Sequence, residues 1–400
     1  GFRFSPDESK LLFISQVKYG ERTADKYPDL DKASGMVIDD LMYKHWDEWV
    51  QTVPHPFVAS FDGNKVGEAT DILAGEPYES PMKPFGGIEQ LAWSNDSKQI
   101  AYTCRKKTGL DYAISTDSDI YLYNLETKQT RNLCKEDAAD KNMGYDTNPK
   151  FSPDGKSIAW QSMERDGYES DRNRLCVMDL TSGKKTYVTE SFQSGVDDYC
   201  WAPDSRTLYF VGVWHATSMI HSTNLEGDVK QLTDGMYDYA SVAMLNDGQL
   251  LTKRHSLSEA DELFTVSLNQ ENAVSRITKE NDHIFSQLKL GKVEPRWTKT
   301  VDGKDMLSWV VYPADFDPNK KYPAIIYVYG GPHAQMIHNT RFYDARGWDL
   351  YMAQQGYVML TVDNRGSDNR GIKFENCTFR HLGVEEMKDQ VEGAKFLQSL

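Results

Sequence analysis

A short turn motif recurs along the first two thirds of the chain and constrains its fold more than any other feature. In the clearest copies an aromatic residue precedes Ser or Ala, then Pro or Asn, then Asp, and an apolar strand follows after a few polar residues. These copies begin at Phe4, Trp93, Phe151 and Trp201, and a weaker copy begins at Leu245. Proline restricts φ, and Asp followed by a small or polar residue closes a tight turn, so each copy predicts a β-hairpin.

A second element follows most copies of the motif. It is an alternating strand that ends in a leucine before a polar turn, and these leucines (125, 180, 225 and 268) are spaced 55, 45 and 43 residues apart. Four short strands in a period of roughly 40–50 residues are typical of a β-propeller. The sequence therefore predicts a mainly β protein in which residues 1–290 form a propeller, for which we expect seven blades.

Two stretches, residues 15–57 and 160–174, interrupt the period and are predicted to be insertions. Insertions in a propeller cluster on one face, which is often the binding face. The first insertion contains His45, Trp46 and Trp49, which could line a metal or ligand site. We expect instead a buried aromatic plug in which His45 bonds to a backbone carbonyl.

The pattern changes near residue 290. A hairpin is predicted to turn at Asp302-Gly303, and residues 322–329 and 357–362 then form two nearly continuous apolar strands, each followed by a helical pattern. Such strands are typical of a parallel sheet buried on both faces. Residues 291–400 are therefore predicted to be a second, α/β domain.

The charge balance excludes some partners. Acidic residues outnumber basic ones by 60 to 45, which gives a net charge of -15 and argues against a nucleic-acid partner. No apolar run approaches the ~18–20 residues of a membrane span. We find no metal-binding, P-loop or Rossmann spacing and predict no metal or cofactor. The five cysteines are expected to be free thiols, with a Cys176–Cys200 disulfide as the alternative.

Three short motifs in the second domain resemble the prolyl oligopeptidase family of serine peptidases, and within it the dipeptidyl peptidase IV and V group. They are residues 328–332 (Val-Tyr-Gly-Gly-Pro), residues 363–367 (Asp-Asn-Arg-Gly-Ser), and Leu-Gly at 382–383 together with Asp-Gln-Val-Glu-Gly at 389–393. The resemblance covers nearly the whole chain, because that family also places a propeller before its hydrolase domain. It implies that residues 291–400 are the N-terminal, incomplete part of an α/β-hydrolase peptidase domain.

The resemblance also implies roles for single residues. Tyr329 would be the oxyanion donor through its hydroxyl, and the alternative is a strand-end tyrosine packed under the loop. Gly330 and Gly331 would let the backbone approach the substrate, and His333 would shape the loop rather than act as the triad base. Arg365 would bind substrate or, as the alternative, hold its loop by pairing with carboxylates.

No G-x-S-x-G motif occurs in the 400 residues. In the family this nucleophile elbow follows one strand after the last helix found here, and the catalytic Asp and His come later. We therefore expect that the chain is a fragment that ends before its serine nucleophile and is inactive alone.

Dipeptidyl peptidases must bind the free α-amine of the substrate with carboxylates. The adjacent Glu-Glu pair of the dipeptidyl peptidase IV group is absent from the predicted insertions, so its strict proline preference does not carry over. The candidates are Glu164 and Glu169, and the alternative is a solvated loop held by ion pairs.

The resemblance thus implies an exported enzyme, periplasmic or secreted, that releases dipeptides from peptides with a free N-terminus through an acyl-enzyme. An acylaminoacyl peptidase or oligopeptidase of the same family, and a non-catalytic binding propeller, are the alternatives. A homodimer is left open.

Overall fold

Antiparallel sheets of four or five strands, each built from neighbouring parts of the chain, hold most of the strands in the computed structural model. The structure describes residues 1–30, 32–268, 273–340 and 347–400. The described chain divides into two units, residues 1–187 and 188–400. The predicted domain boundary after residue 290 lies within the second unit and stays a prediction.

The first unit holds three such sheets, with spatial orders β1-β2-β5-β6, β10-β9-β8-β7 and β11-β12-β13-β14. The strands are β1 (Phe2–Phe4), β2 (Lys10–Lys18), β3 (Lys44–His45), β4 (Glu48–Trp49), β5 (Thr52–Phe61), β6 (Val66–Asp71), β7 (Leu91–Trp93), β8 (Gln99–Cys104), β9 (Asp119–Asn124), β10 (Thr130–Asn132), β11 (Asp146–Phe151), β12 (Ser157–Ser162), β13 (Arg174–Asp179) and β14 (Lys185–Tyr187). Its short helices are α1 (Thr23–Lys26) and α2 (Gly109–Ile114), with single 3-10 turns at Ile88–Gln90 and Leu133–Lys135.

The repeated motif forms the same turn in each clear copy. In one copy Ser94 Oγ donates to Asp96 Oδ1 over 2.6 Å and accepts from the backbone N–H of Gln99 over 2.9 Å. The residue after the Asp, Ser97, has a left-handed φ of 60°. The equivalent serine–aspartate bonds are Ser5–Asp7 and Ser152–Asp154. In these three copies the serine bridges both sides of the turn. In the copy at Trp201 alanine replaces the serine, and Asp204 accepts directly from the backbone N–H groups of Arg206 and Thr207.

Both insertions are narrower than predicted. The first occupies residues 19–51 between β2 and β5, because the predicted range included residues that extend these paired strands. The second occupies residues 163–173 between β12 and β13.

The second unit begins with two more sheets of the same type, β15-β16-β17-β18 and β19-β21-β22-β23, with β20 paired to β21. Their elements are β15 (Val196–Trp201), β16 (Thr207–Trp214), β17 (Thr217–Asn224), β18 (Lys230–Gln231), β19 (Asp238–Tyr239), β20 (Ala243–Met244), β21 (Gln249–His255), β22 (Glu262–Ser267), β23 (Val274–Arg276) and α3 (Asp282–Phe285). The described residues thus contain five sheets of the propeller type, and the expected number of seven blades is not confirmed.

The last sheet differs, since it mixes antiparallel and parallel pairs in the order β24-β25-β27-β26. Its elements are β24 (Val293–Lys299), β25 (Asp305–Val311), β26 (Ala324–Tyr327), α4 (Trp348–Gln354), β27 (Val358–Asp363), α5 (Ile372–Glu375), a 3-10 turn (Asn376–Thr378) and α6 (Glu385–Ser399). Strands β26 and β27 are parallel, which confirms the predicted parallel pair. All five cysteines are free, so the disulfide alternative is wrong.

Alternation along β25 and β27 gives this sheet two apolar faces. Leu307 and Met359 face one way and pack with Leu350 of α4. Val310 and Leu360 face the other way and pack with residues of α6. The strand predicted at 357–362 is therefore buried on both faces, as expected. Strand β26 is only partly buried, against the prediction, because it pairs only with β27 among the described residues. None of the described helices combines the length and apolar character needed to cross a bilayer.

The loops after the two parallel strands are joined by Asp363, the last residue of β27. Its Oδ1 accepts from the backbone N–H groups of Met336 and Ile337 over 2.7 and 3.2 Å. Burial raises the pKa of Asp363 to about 7. The loop that follows β26 is thus fixed by one buried carboxyl group at the end of the neighbouring strand.

This raised pKa predicts a pH dependence of stability. The unfolded Asp has a pKa of about 3.9, so between about pH 4 and pH 7 the folded state holds a proton that the unfolded state releases. The free energy of unfolding of the second unit should therefore fall as pH rises through this window. Asp363→Asn keeps the accepting oxygen and should flatten the fall when urea unfolding is compared at pH 5 and pH 8. The exposed Asp315→Asn is the control, and an unchanged slope in Asp363→Asn would contradict the prediction.

Candidate functional site

Tyr329 lies two residues beyond the carboxyl end of β26, where ligands bind in α/β sheets. Its side chain is 59% exposed. Gly330 has a left-handed φ of 72°, and a Cβ atom on Gly331 would lie 2.6 Å from Cε1 of the Tyr329 ring. Gly330 therefore suits its left-handed position, Gly331 leaves space for the Tyr329 ring, and that ring is exposed and not packed under the loop.

The loop that carries Tyr329 is fastened to the loop after β27. The backbone N–H of His333 donates to the carbonyl of Gly366 over 2.9 Å, and Asn369 Nδ2 donates to Gln335 Oε1 over 3.0 Å. Residues 328–332 and 363–367 were identified from the sequence as separate motifs. The structure brings their loops together.

Three side chains at this junction could hold a metal ion. His333 Nδ1 lies 2.5 Å from Glu375 Oε1, and Asp368 completes a group whose ligand atoms all lie within 4.8 Å of one another. Asp368 and Glu375 were not predicted as site residues, because no ligand spacing in the sequence links them to His333.

A second group with metal-ligand chemistry, Asp119, Cys134 and Asp146, lies buried in the first unit. Trp160 Nε1 donates to Asp146 over 2.9 Å, and Asn132 Nδ2 donates to Asp119 over 2.8 Å. Burial raises the pKa of Asp146 to about 7. These hydrogen bonds join β11 to β12 and β9 to β10 within their sheets.

Arg365 is buried and surrounded by carboxylates. Its backbone N–H donates to Asp389 Oδ2 over 2.8 Å, and its Nε and Nη2 donate to the same carboxylate over 3.0 and 2.8 Å. Nη1 pairs with Glu385 and lies 3.3 Å from Asp302. The hydrogen bonds to Asp389 raise the pKa of Arg365. This geometry favours the loop-holding role, and substrate binding by Arg365 stays an untested prediction.

Glu164 and Glu169 lie in the second insertion of the first unit, and both are exposed. The insertion is held between them, since the backbone N–H of Arg165 donates to Asp171 over 2.8 Å and its guanidinium stands 3.9 Å from the Tyr168 ring. The ion-paired loop of the alternative is therefore present, and it leaves both glutamates available to a ligand.

The buried plug predicted at residues 45–49 is wrong. Trp46 is 72% exposed, and Trp49 is also exposed, because they lie on a short hairpin that turns at Trp46 with φ of 52°. His45 bonds to the carboxylate of Glu79 over 3.0 Å and not to a carbonyl. The buried Glu79 also accepts from the hydroxyl of Tyr112.

A cavity of about 950 Å³ opens in the first unit, lined mainly by residues of the first insertion. His55 and Asp71 form part of its wall, with His55 Nδ1 2.9 Å from Asp71 Oδ2. The sequence pattern did not identify this pair, because alternation along a strand does not reveal which histidine meets a cavity.

The Arg365 contacts yield a test of what the pair contributes. Asp389 is fully buried, so Asp389→Ala leaves the backbone N–H, Nε and Nη2 of the buried Arg365 without their acceptor and should lower the free energy of unfolding by about 3–5 kcal/mol, although Glu385 still pairs with Nη1. The control is Glu392→Ala on the same helix, which removes a surface pair with Lys395 and should cost about 1 kcal/mol or less. Urea unfolding measures both, and equal costs would show that Arg365 is not held by Asp389.

Comparison with known proteins agrees with these motifs. The model of the prolyl oligopeptidase family matches residues 344–400. Dipeptidyl-peptidase 5 of Porphyromonas gingivalis is 49% identical over 391 residues, which are 97% of this chain and 56% of the relative. Dipeptidyl-peptidase 5 of Porphyromonas endodontalis is 41% identical over 395 residues, covering 98% of this chain and 56% of the relative. The chain thus spans little more than half the length of these relatives.

Solved structures share the fold. Acylaminoacyl peptidase of Pyrococcus horikoshii matches with a TM-score of 0.76 at 16% identity, over 100% of this chain and 56% of that one. Dipeptidyl peptidase 4 of Porphyromonas gingivalis matches with a TM-score of 0.63 at 17% identity, over 100% of this chain and 54% of that one. The fold is thus a β-propeller followed by the N-terminal part of an α/β-hydrolase domain. Nearly the whole chain is thus similar to dipeptidyl-peptidase 5, and its residues 344–400 match the prolyl oligopeptidase family.

Proposed function

We propose that the full-length protein containing this chain is a serine exopeptidase that releases dipeptides from the N-termini of peptides. The observation that carries the proposal is the exposed Tyr329 on a glycine loop at the carboxyl end of a parallel strand. The 49% identity to a dipeptidyl-peptidase 5 supports the substrate class.

The proposed chemistry is acyl transfer. A serine attacks the scissile carbonyl, the carbonyl oxygen becomes negatively charged, and a positioned hydroxyl that donates to this oxygen lowers the barrier. We assign that donation to Tyr329, whose loop is held by Asp363 through Met336 and Ile337. The nucleophile, acid and base are proposed to lie beyond residue 400, so the 400-residue chain alone should give no turnover.

Tyr329→Phe tests the oxyanion role in the full-length enzyme. Removing one oxyanion donor should lower kcat by about 10²–10³-fold with little change in KM, because the bond forms mainly in the transition state. Tyr351→Phe, an equally exposed tyrosine of α4, should leave both constants unchanged. If Tyr329→Phe retains the wild-type kcat, Tyr329 is not the oxyanion donor.

The second candidate function is an acylaminoacyl peptidase or oligopeptidase, which needs no carboxylates for a free amine. The fold shared with acylaminoacyl peptidase and the absence of an adjacent Glu-Glu pair from both insertions keep it open. A binding propeller without catalysis is less favoured, because binding alone does not require an exposed tyrosine on a glycine-containing loop at the carboxyl end of β26.

Replacing Glu164 and Glu169 together with Gln separates these candidates. Hydrogen bonds to charged groups contribute about 1.5–3 kcal/mol, so KM for substrates with a free N-terminus should rise at least about tenfold. Cleavage of N-terminally blocked substrates should not change. The exposed Glu126→Gln is the control. An unchanged KM for free-amine substrates would remove both glutamates from the proposal.

We also propose that the protein is exported, to the periplasm or outside the cell, and that its partners are peptides rather than nucleic acid. Both rest on the family resemblance and on the acidic charge balance.

A further inference from the structure

We propose that His333, Asp368 and Glu375 bind a divalent transition-metal ion. Metal bonds of about 2.0–2.2 Å to nitrogen and oxygen separate neighbouring ligands of a tetrahedral site by about 3.3 Å. The three ligand atoms already lie within 4.8 Å of one another, so small side-chain rotations bring them all into reach of one ion.

The fold prepares this site from two loops. His333 comes from the loop after β26, while Asp368 and Glu375 come from the segment after β27. The hydrogen bond from the backbone N–H of His333 to the carbonyl of Gly366 holds the two loops together. Glu375 is 5% exposed, whereas the His333 side chain is 43% exposed. The site thus combines a buried carboxylate with an imidazole that solvent can reach.

The side chains at the site have the composition of a cation site. Two carboxyl groups and one imidazole present ligand atoms within 4.8 Å of one another, and the His333 imidazole already pairs with Glu375. A divalent cation would pair with both carboxylates at once.

The ligand set selects the kind of ion. One imidazole nitrogen and two carboxylate oxygens suit zinc or manganese, whereas calcium requires six to eight oxygen ligands. Zinc forms the tighter complex of the two with such donors. A bound ion would hold the loop only four positions along the chain from Tyr329, and it would therefore stiffen the candidate oxyanion loop.

The experiment uses the 400-residue chain after treatment with a chelator. Zinc titration by calorimetry should show a binding site that is weakened at least about tenfold by Glu375→Gln and by His333→Gln. The controls are Glu392→Gln and His381→Gln, which are ionisable residues of the same unit outside the site. Far-UV circular dichroism confirms that each variant is folded.

X-ray absorption at the zinc edge then identifies the ligands. Imidazole and oxygen scattering without sulfur supports the site, whereas a sulfur ligand would place the zinc at Asp119, Cys134 and Asp146 and overturn the proposal. The proposal also fails if no stoichiometric zinc binds, in which case His333 forms only an ion pair with Glu375. Zinc binding that is unchanged by both Glu375→Gln and His333→Gln would also overturn the proposal. None of these readouts requires peptidase activity, so the result is independent of the proposed function.

Discussion

The second unit depends on buried carboxyl groups that bind backbone N–H groups of neighbouring loops. Asp363 accepts from Met336 and Ile337, and Asp389 accepts both the backbone and the guanidinium of Arg365. Each contact joins segments that are far apart in the chain. Since an unpaired buried N–H or charge is costly, these two carboxyl groups stabilise the described parts of the loops after β26 and β27 in the arrangement seen here.

That arrangement explains how the carboxyl ends of two strands bring the candidate functional side chains together. The two parallel strands end at the same edge, so Tyr329 and the segment from Asp363 to Glu375 lie on neighbouring loops. The glycines after Tyr329 permit a sharp turn and leave the ring exposed. The site therefore has an exposed hydroxyl beside a group of buried acids and one imidazole, which supports both the proposed oxyanion role and the proposed metal site.

In the second insertion an ion pair orders the loop that carries the candidate binding residues but is not itself proposed to bind the substrate. Arg165 and Asp171 bind each other and order the loop, while Glu164 and Glu169 stay exposed. Arg365 has an equivalent structural role in the loop after β27. Its side-chain donors pair with Asp389, Glu385 and Asp302. In both places arginine provides order, and the groups available to a substrate are other residues.

The sequence by itself determined the hairpin repeats, the parallel strand pair and the position of Tyr329 at a strand end. These features follow from short-range rules, since turn residues, alternation and apolar runs act within a few positions. Only the tertiary structure decided the pairing of Arg365 with Asp389, the exposure of Trp46, the bond between His45 and Glu79, and the meeting of His333 with Asp368 and Glu375. Each of these is a contact or an orientation set by loops packed across many residues, and a sequence pattern holds no information on which distant side chains such packing brings within bonding distance.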